Sequence, residues 1–228
     1  VGTRPELIKL SLTIKKCDKI FDHVLIHTGQ NYDYELNQIF FEDLGIRKPD
    51  YFLDVVGKNL GETLGNVISK SYEILKNLDP DSLLILGDTN SSLSVISAKR
   101  LKIPIFHMEA GNRCFDQNVP EEINRKIADH LADINLTYTE NSRRYILSEG
   151  FRKDHVFNTG SPMFEIIENF KKNIDESKIL SQLNLKKKKY IVVSIHREEN
   201  VDIGNNFKEI LNSLKLVQET YNLPIIFS

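Results

Sequence analysis

The sequence predicts an α/β protein with parallel sheets, in which a complete first unit is followed by the start of a second. Short apolar runs alternate with segments of helical periodicity along almost the whole chain, which is the doubly wound pattern. The apolar runs end at turn residues, as buried strands of a parallel sheet do. The same alternation begins again after a long polar interval, and this predicts a second α/β unit.

The elements of the first unit follow from these patterns in chain order. The chain opens on Val1 and Gly2, which we interpret as the tail of a strand. Further strands are predicted at 23–27, 51–54, 82–86, 103–108, 134–138 and 156–158. Helices with apolar residues three and four apart are predicted after the first turn and at 34–44, 61–78, 89–101, 120–131, 140–148 and 161–173.

The first helix has a recognisable start. Thr3 or Arg4 is the predicted cap, Pro5 occupies the first turn without losing a needed N–H, and Glu6 suits the positive helix end. A helix that begins just after a strand offers backbone donors to an anion, and Arg4 adds a guanidinium fork suited to phosphate. The turn alone leaves open an ordinary connection with an exposed arginine, because it has one glycine and no glycine-rich fingerprint.

The second unit is predicted to begin after a charged stretch that ends at Lys189. A strand at 190–195, a helix at 205–221 and a strand at 224–227 follow. We therefore predict a first domain over residues 1–165, and a linker with the start of a second domain over 166–228. Both ends of the chain are predicted as strands without their usual neighbours, so the sequence is expected to be part of a longer protein.

Composition narrows the classes of function. The 228 residues carry a net charge of −2, which gives no support to nucleic-acid binding, and the four consecutive lysines at 186–189 are predicted to form a solvated loop. The two cysteines lie far apart, which argues for a reducing compartment without disulfides. The six histidines lack metal-ligand spacing. Without an apolar run long enough for a membrane or a visible signal peptide, we expect a cytoplasmic protein with no membrane or metal partner.

Acidic residues mark one region of the chain as the predicted site. Asp88 and Glu109 each follow a predicted strand, and the pair Glu121–Glu122 follows Pro120 at a helix start. Ligands of open α/β sheets bind at the carboxyl ends of the strands, so these carboxylates are expected to converge there as general acids and bases. Asp88 could instead cap the next helix, and Glu121 could serve the helix dipole, whereas Glu109 caps nothing evident.

Basic residues near the acids complete the predicted site. Arg113 and Arg125 flank the loop before the acidic pair and could neutralise the acids or bind phosphate. His196 ends a predicted strand in a polar loop and is a candidate ligand or catalytic group. Cys114 is the loop's only thiol, and a nucleophilic role is disfavoured because the sequence places no base beside it. These residues predict an enzyme but leave its reaction open.

Seven short motifs in order carry a resemblance to a known family. They are GTRPELIK at 2–9, HTGQ at 27–30, GDTNSS at 87–92, HMEAGNR at 107–113, PEEINR at 120–125, TGSP at 159–162 and HREEN at 196–200. Together they resemble the non-hydrolysing bacterial UDP-N-acetylglucosamine 2-epimerases across nearly the whole chain. The resemblance implies two Rossmann-like domains facing a cleft, as in GT-B glycosyltransferases, with the second domain only partly present here.

The resemblance also implies a reaction and its residues. UDP leaves C1 as the C2 proton is lost, and it returns with proton delivery to the other face of C2, so that UDP-GlcNAc and UDP-ManNAc interconvert without a cofactor. Asp88, Glu109 and Glu121 match the family's catalytic acids, and His196 matches its cleft histidine. Arg4 and Lys9 match basic residues that the family uses toward its substrate. The resemblance further implies a homodimer in the full-length form and a nucleotide grip that lies mostly beyond Ser228.

Some departures from the family pattern keep alternatives open. Asn31 stands where many relatives have histidine, which puts activation by a second UDP-sugar in doubt. The motifs at 111–125 and 196–200 look closest to capsule- and O-antigen-associated members. Some of those act on UDP-2-acetamido-2,6-dideoxy-L-hexoses and form UDP-N-acetyl-L-fucosamine, which is the first alternative. A GT-B glycosyltransferase is the second, although it would need an acceptor site and usually a single base.

Overall fold

The chain divides into two compact units in a computed structural model that describes residues 1–29, 34–195 and 205–227. Over residues 34–38 it describes the backbone only. The first unit is Val1–Asn169 and the second is Phe170–Ser228. The α/β class predicted from the sequence is confirmed, since helices alternate with strands and each strand pair within the described ranges is parallel.

The first unit contains two sheets. Strands β1 (Ile26–His27) and β2 (Tyr51–Phe52) form a short pair. The larger sheet has the spatial order β3–β4–β5–β6, and its strands are β3 (Leu83–Leu86), β4 (Ile105–Ala110), β5 (Ile134–Thr137) and β6 (Val156–Asn158). The predicted strands at 23–27 and 51–54 are each only two residues long in the structure. Val1 pairs with this region, because its amino group donates to the Ile26 carbonyl and its own carbonyl accepts from Thr28 N–H.

Seven α-helices of the described first unit surround these sheets. They are α1 (Arg4–Ile20), α2 (Tyr34–Leu44), α3 (Leu60–Leu78), α4 (Ser94–Arg100), α5 (Pro120–Leu131), α6 (Glu140–Ser148) and α7 (Met163–Asn169). The helix predicted at 89–101 is instead a 3-10 turn, Asn90–Leu93, followed by α4. The Ser92 hydroxyl donates to the Thr89 carbonyl there, a local bond through which serine competes with the helical backbone.

Buried apolar residues join α3, α4 and α5 to one face of the larger sheet. The main cluster consists of Leu75, Ile85, Val95, Ala98, Ile103, Ile105 and Ala128. Opposite-face residues such as Leu84, Phe106 and Phe157 remain partly exposed, as the alternation of side chains along a strand requires. This packing fixes the positions of the carboxyl ends of β3 and β4, where Asp88 and Glu109 lie.

The start of α1 confirms the predicted cap. Thr3 is the N-cap, and the Glu6 carboxylate accepts the backbone N–H of Gly2 at 2.7 Å and of Thr3 at 2.8 Å. Its other oxygen accepts the Thr89 hydroxyl at 3.0 Å, so Glu6 ties this helix to the loop after β3. The N–H of the N-cap Thr3, and that of Gly2 before it, are thus used by Glu6 and are not available to an anion.

The second unit contains α8 (Lys171–Asp175), α9 (Ile179–Gln182), β7 (Ile191–Val193), α10 (Asn206–Tyr221) and β8 (Ile225–Phe227) among its described residues. Strands β7 and β8 pair in parallel, as the renewed alternation of strand and helix predicts. The helix predicted at 161–173 is interrupted, since α7 ends at Asn169 and α8 begins after Phe170. Across the described ranges, we find no helix with the length and apolar character needed to cross a membrane.

Candidate active site

The carboxyl ends of β3 and β4 bring two acidic turns together. Gly87, directly before Asp88, has a φ of 72°, a conformation that glycine adopts without strain. A β-carbon at Gly87 would lie 3.6 Å from Glu109 Oε2, so the Glu109 carboxylate rests against the turn that carries Asp88. The predicted convergence of these two strand ends is therefore present in the fold.

Glu109 has an unusual backbone conformation. It was predicted to follow a strand that ends at Met108, but β4 continues to Ala110 and contains Glu109. The pairing with β5 shifts between Met108 and Ala110, and Glu109 forms the bulge with a φ of 65°. Bulges and left-handed backbone at a residue with a side chain cost energy and concentrate at functional sites. The bulge re-aims the Glu109 carboxylate at the strand end.

Lys9 holds the Glu109 carboxylate. Its ammonium lies 2.6 Å from Oε2 and 2.8 Å from Oε1, and both side chains are less than a third exposed. Lys9 and Glu109 are 100 residues apart in sequence, so only the fold brings them together. The ammonium group of a lysine is a compact point charge, and here it contacts both oxygens of the Glu109 carboxylate.

Asp88 is held differently, by an arginine. Its Oδ2 accepts Arg125 Nη2 at 2.6 Å and Arg125 Nε at 3.0 Å. The side-chain amide of Asn124 donates to the Asp88 carbonyl at 3.0 Å. Arg125 thus acts on the acids, one of the two roles that the sequence allowed for it, and it does so through charge-assisted hydrogen bonds.

The structure separates the two members of the acidic pair. Glu122 is fully buried and accepts the backbone N–H groups of Cys114 and Phe115 and a guanidinium N–H of Arg125. Burial alone would raise its pKa, but these donors and the Arg125 charge outweigh burial and lower it. Glu121 is exposed in the first turn of α5, and within the described ranges it has no ion pair or side-chain hydrogen bond. Glu122 holds the loop, and Glu121 is free to meet a ligand.

Arg113 lies in a charge network with Asp129 and Glu149, and this favours the first of its two predicted roles, neutralising acids, over binding phosphate. Its side chain has no exposed surface, and it donates to Asp129 at 2.7 Å and to both Glu149 oxygens at 2.7 Å. Burial by itself would lower its pKa, but the bonds and charges of Glu149 and Asp129 outweigh burial and raise it. Each donor-bearing nitrogen is used inside the protein.

The remaining predicted site residues have varied positions. Arg4 is exposed at the start of α1, with its guanidinium carbon 5.9 Å from the centre of the Phe40 ring. His196 lies outside the described residues. Cys114 is exposed, and its thiol faces the Glu122 carboxylate at 3.4 Å, so it takes part in holding the loop. In the described ranges, we find no cluster of His, Cys, Asp and Glu able to hold a metal ion.

Three buried polar residues near the acids were missed by the sequence analysis. His107 and Asp129 have no exposed side-chain surface and lie 2.9 Å apart. The Tyr138 hydroxyl is buried just beyond β5, and burial together with the charge of Glu109 raises the pKa of this phenol. A histidine inside an otherwise apolar strand was the available signal for His107, while nothing in the local pattern marked the other two.

The tight turn after Glu109 can be tested by a substitution at Gly111. Gly111 has a φ of 79°, and a β-carbon there would lie 2.4 Å from the Ser142 carbonyl oxygen. We expect Gly111→Ala to lower the free energy of unfolding by at least about 2 kcal/mol, from backbone strain and this clash. Urea unfolding measures the change. Gly65→Ala in α3 is the matched control, since nothing lies within 4 Å of its β-carbon, and a helical alanine there should raise stability by about 1 kcal/mol. Equal stability of the two variants would contradict the tight turn.

Sequence comparison relates this chain to one family of known proteins. A family model described as UDP-N-acetylglucosamine 2-epimerase matches residues 15–228. The chain is 40% identical over 228 residues to a UDP-N-acetylglucosamine 2-epimerase homolog of Methanococcus maripaludis, covering 99% of this chain and 64% of that protein. The chain therefore spans less than two thirds of the length of that curated relative.

Two solved structures of proteins with the same description superpose on this chain. The UDP-N-acetylglucosamine 2-epimerase from Rickettsia bellii superposes with a TM-score of 0.92 at 55% identity, over 99% of this chain and 59% of that one. The UDP-GlcNAc 2-epimerase of Methanocaldococcus jannaschii, in complex with UDP-GlcNAc and UDP, also gives 0.92 at 34% identity, over 100% of this chain and 64% of that one.

Proposed function

Because this chain belongs to the UDP-N-acetylglucosamine 2-epimerase family, we propose that a protein containing it interconverts UDP-GlcNAc and UDP-ManNAc without hydrolysis. The solved relative that holds UDP-GlcNAc and UDP supports a UDP-sugar as the ligand. The observation that carries the proposal is that two differently held carboxylates, Asp88 on Arg125 and Glu109 on Lys9, lie at neighbouring strand ends, with Glu109 against the turn that carries Asp88.

The chemistry requires two carboxylates rather than one. The C2 proton beside the acetamido group is weakly acidic, so its removal is coupled to breaking the C1–O bond, and the electrons of the C2–H bond form the C1=C2 double bond as UDP leaves. In the return step, the UDP oxygen attacks C1 while a proton is added to the opposite face of C2. Acid and base groups on both faces of the sugar satisfy this sequence, with atoms and charge conserved.

The contacts of the site residues support a different role for each of them. Glu109 is the proton-transfer group in this proposal, because its partner Lys9 can share or release a proton. Asp88, held by two hydrogen bonds from Arg125, is proposed to serve as a fixed base or electrostatic partner. Glu121 and Arg4, both exposed, are proposed to reach the sugar and the diphosphate from the two helix starts that carry them. His196 is proposed to assist the leaving diphosphate, on the family motif alone.

The test is exchange of the C2 hydrogen with solvent. The protein, at the length of its relatives, is incubated in D₂O with UDP-GlcNAc and, separately, with UDP-2-acetamido-2,6-dideoxy-L-talose, and C2 is followed by NMR. We expect deuterium at C2 of UDP-GlcNAc, appearance of UDP-ManNAc and retention of the nucleotide. Exchange only with the talose derivative would replace the proposed substrate. Release of free sugar and UDP, or no exchange from folded protein, would contradict the proposed reaction.

A further inference from the structure

His107 connects the two turns that carry the proposed catalytic acids. It lies on β4, two residues before Glu109, and has no exposed surface. Its Nε2 lies 2.9 Å from the Gly87 carbonyl, in the turn before Asp88. A carbonyl can only accept a hydrogen bond, so Nε2 carries a proton. The imidazole therefore ties the end of β3 to β4 between the two acids.

The other ring nitrogen faces a carboxylate. His107 Nδ1 lies 2.9 Å from Asp129 Oδ1, in an ion-pair contact rather than an aligned hydrogen bond. If Nδ1 were unprotonated, two atoms that can only accept hydrogen bonds would lie 2.9 Å apart in a buried site and would repel. A protonated Nδ1 makes the same contact attractive. The geometry thus favours an imidazolium, with one N–H toward Gly87 and the other toward Asp129.

The partners of the buried Asp129 carboxylate support the same conclusion. Asp129 is completely buried, and its two oxygens also accept the Gly111 backbone N–H at 3.2 Å and Arg113 Nη1 at 2.7 Å. Arg113 is shared with a second carboxylate, that of Glu149, whose side chain is 27% exposed and also contacts His130 Nε2 at 3.2 Å. Asp129 is thus the fully buried carboxylate of this network, and a buried carboxylate is costly unless cations and hydrogen-bond donors compensate it. A positive His107 gives Asp129 a second cationic partner beside the guanidinium that it shares with Glu149.

Asp129 in turn fixes the residues directly after Glu109. It binds the Gly111 N–H, and its partner Arg113 also donates to the Asn112 carbonyl at 2.7 Å. Both ends of the Glu109 bulge are then anchored, by His107 before it and by Asp129 after it. A residue other than glycine keeps a left-handed backbone conformation only where the contacts around it hold it in place. The hydrogen bonds of His107 and Asp129 hold Glu109 in this way.

We propose that His107 and Asp129 are positioning residues, in which a buried imidazolium–carboxylate pair sets the separation of the Asp88 and Glu109 turns. The charge state is independent of the proposed function, while the effect on catalysis rests on it. Neither residue touches the substrate in this proposal, and both act through the backbone of the turns that hold the acids.

The charge state is tested without any substrate. The 228-residue chain is labelled with ¹⁵N-histidine, and the ring nitrogens are observed by long-range proton–nitrogen NMR at pH 7, with His107→Gln used to assign the signals among the six histidines. We expect both His107 nitrogens in the protonated range. A neutral ring, with Nδ1 in the unprotonated range, would overturn the proposed imidazolium.

The positioning role is tested by three variants of the protein at the length of its relatives. Asp129→Asn should lower kcat for C2 exchange by about 100-fold, as a misplaced acid does, with KM nearly unchanged. His107→Gln places an amide near Nε2 and can still donate to Gly87, whereas His107→Asn cannot reach it. We therefore expect His107→Gln to retain more activity than His107→Asn.

The outcomes separate this inference from the proposed reaction. If unmodified protein shows no exchange, the proposed function fails, while the NMR result still decides the charge state of His107. If folded Asp129→Asn keeps kcat within about threefold of the unmodified value, the positioning role is wrong even though the enzyme is active. Circular dichroism and urea unfolding establish which variants are folded, and Asp129→Glu serves as a charge-conserving comparison.

Discussion

Replacing Glu109 by glutamine should abolish C2 exchange while leaving the fold intact. The amide keeps the shape of the side chain but cannot take a proton from C2, and losing a general acid or base typically costs roughly 100- to 10,000-fold in rate. The Lys9–Glu109 pair is partly solvated, so its loss should change the free energy of unfolding by no more than roughly 1 kcal/mol. Single-turnover exchange in D₂O and urea unfolding measure the two effects.

A matched control separates chemistry from charge. Glu73→Gln makes the same change on the exposed face of α3, and we expect it to leave both exchange and stability unaltered. Asp88→Asn should also reduce exchange, but it additionally disturbs Arg125, which donates two hydrogen bonds to Asp88 and one to Glu122. Activity of Glu109→Gln near that of unmodified protein would remove Glu109 from the reaction and leave Asp88 as the principal base.

The neighbouring glutamates of α5 should respond in opposite ways. Glu122→Gln is expected to lower the free energy of unfolding by roughly 3 kcal/mol, because it breaks a buried charge pair and turns an amide group toward the Cys114 and Phe115 donors. Glu121→Gln should leave stability within about 0.5 kcal/mol, since this side chain is exposed. It should instead reduce C2 exchange, by about 100-fold if Glu121 takes part in proton transfer.

The pH dependence of stability gives a second measurement of Glu122. Its folded-state pKa is lowered, so the carboxylate stabilises the fold above the unfolded value of about 4.3, and this contribution is lost as the pH falls through the folded value. Glu122→Gln should therefore flatten the acid side of the stability curve relative to unmodified protein. An equally steep acid loss in the variant, or a large stability loss in Glu121→Gln, would contradict the separation of roles.

Much of the fold was predictable because its signals are local. The helices 34–44, 120–131 and 140–148 have the predicted bounds, since apolar spacing, Pro120 and the capping Thr139 act within a few residues. Parallel pairing followed from the alternation of apolar runs with helices. Strand lengths were predicted less well: the run at 23–27 has three consecutive apolar residues, Val24–Ile26, but only Ile26–His27 pairs, because pairing depends on the partner strand.

The sequence by itself determined the α/β class, the order of the elements, the family and the two strand ends at which Asp88 and Glu109 lie. Only the tertiary structure decided how these acids are held, because Lys9 meets Glu109 and Arg125 meets Asp88 across long separations in the chain. It also assigned Glu122 to the loop and Glu121 to solvent, and buried Arg113 among carboxylates. Charge pairs of this kind leave no periodic signature, because their energy depends on distance and burial rather than on neighbours in sequence.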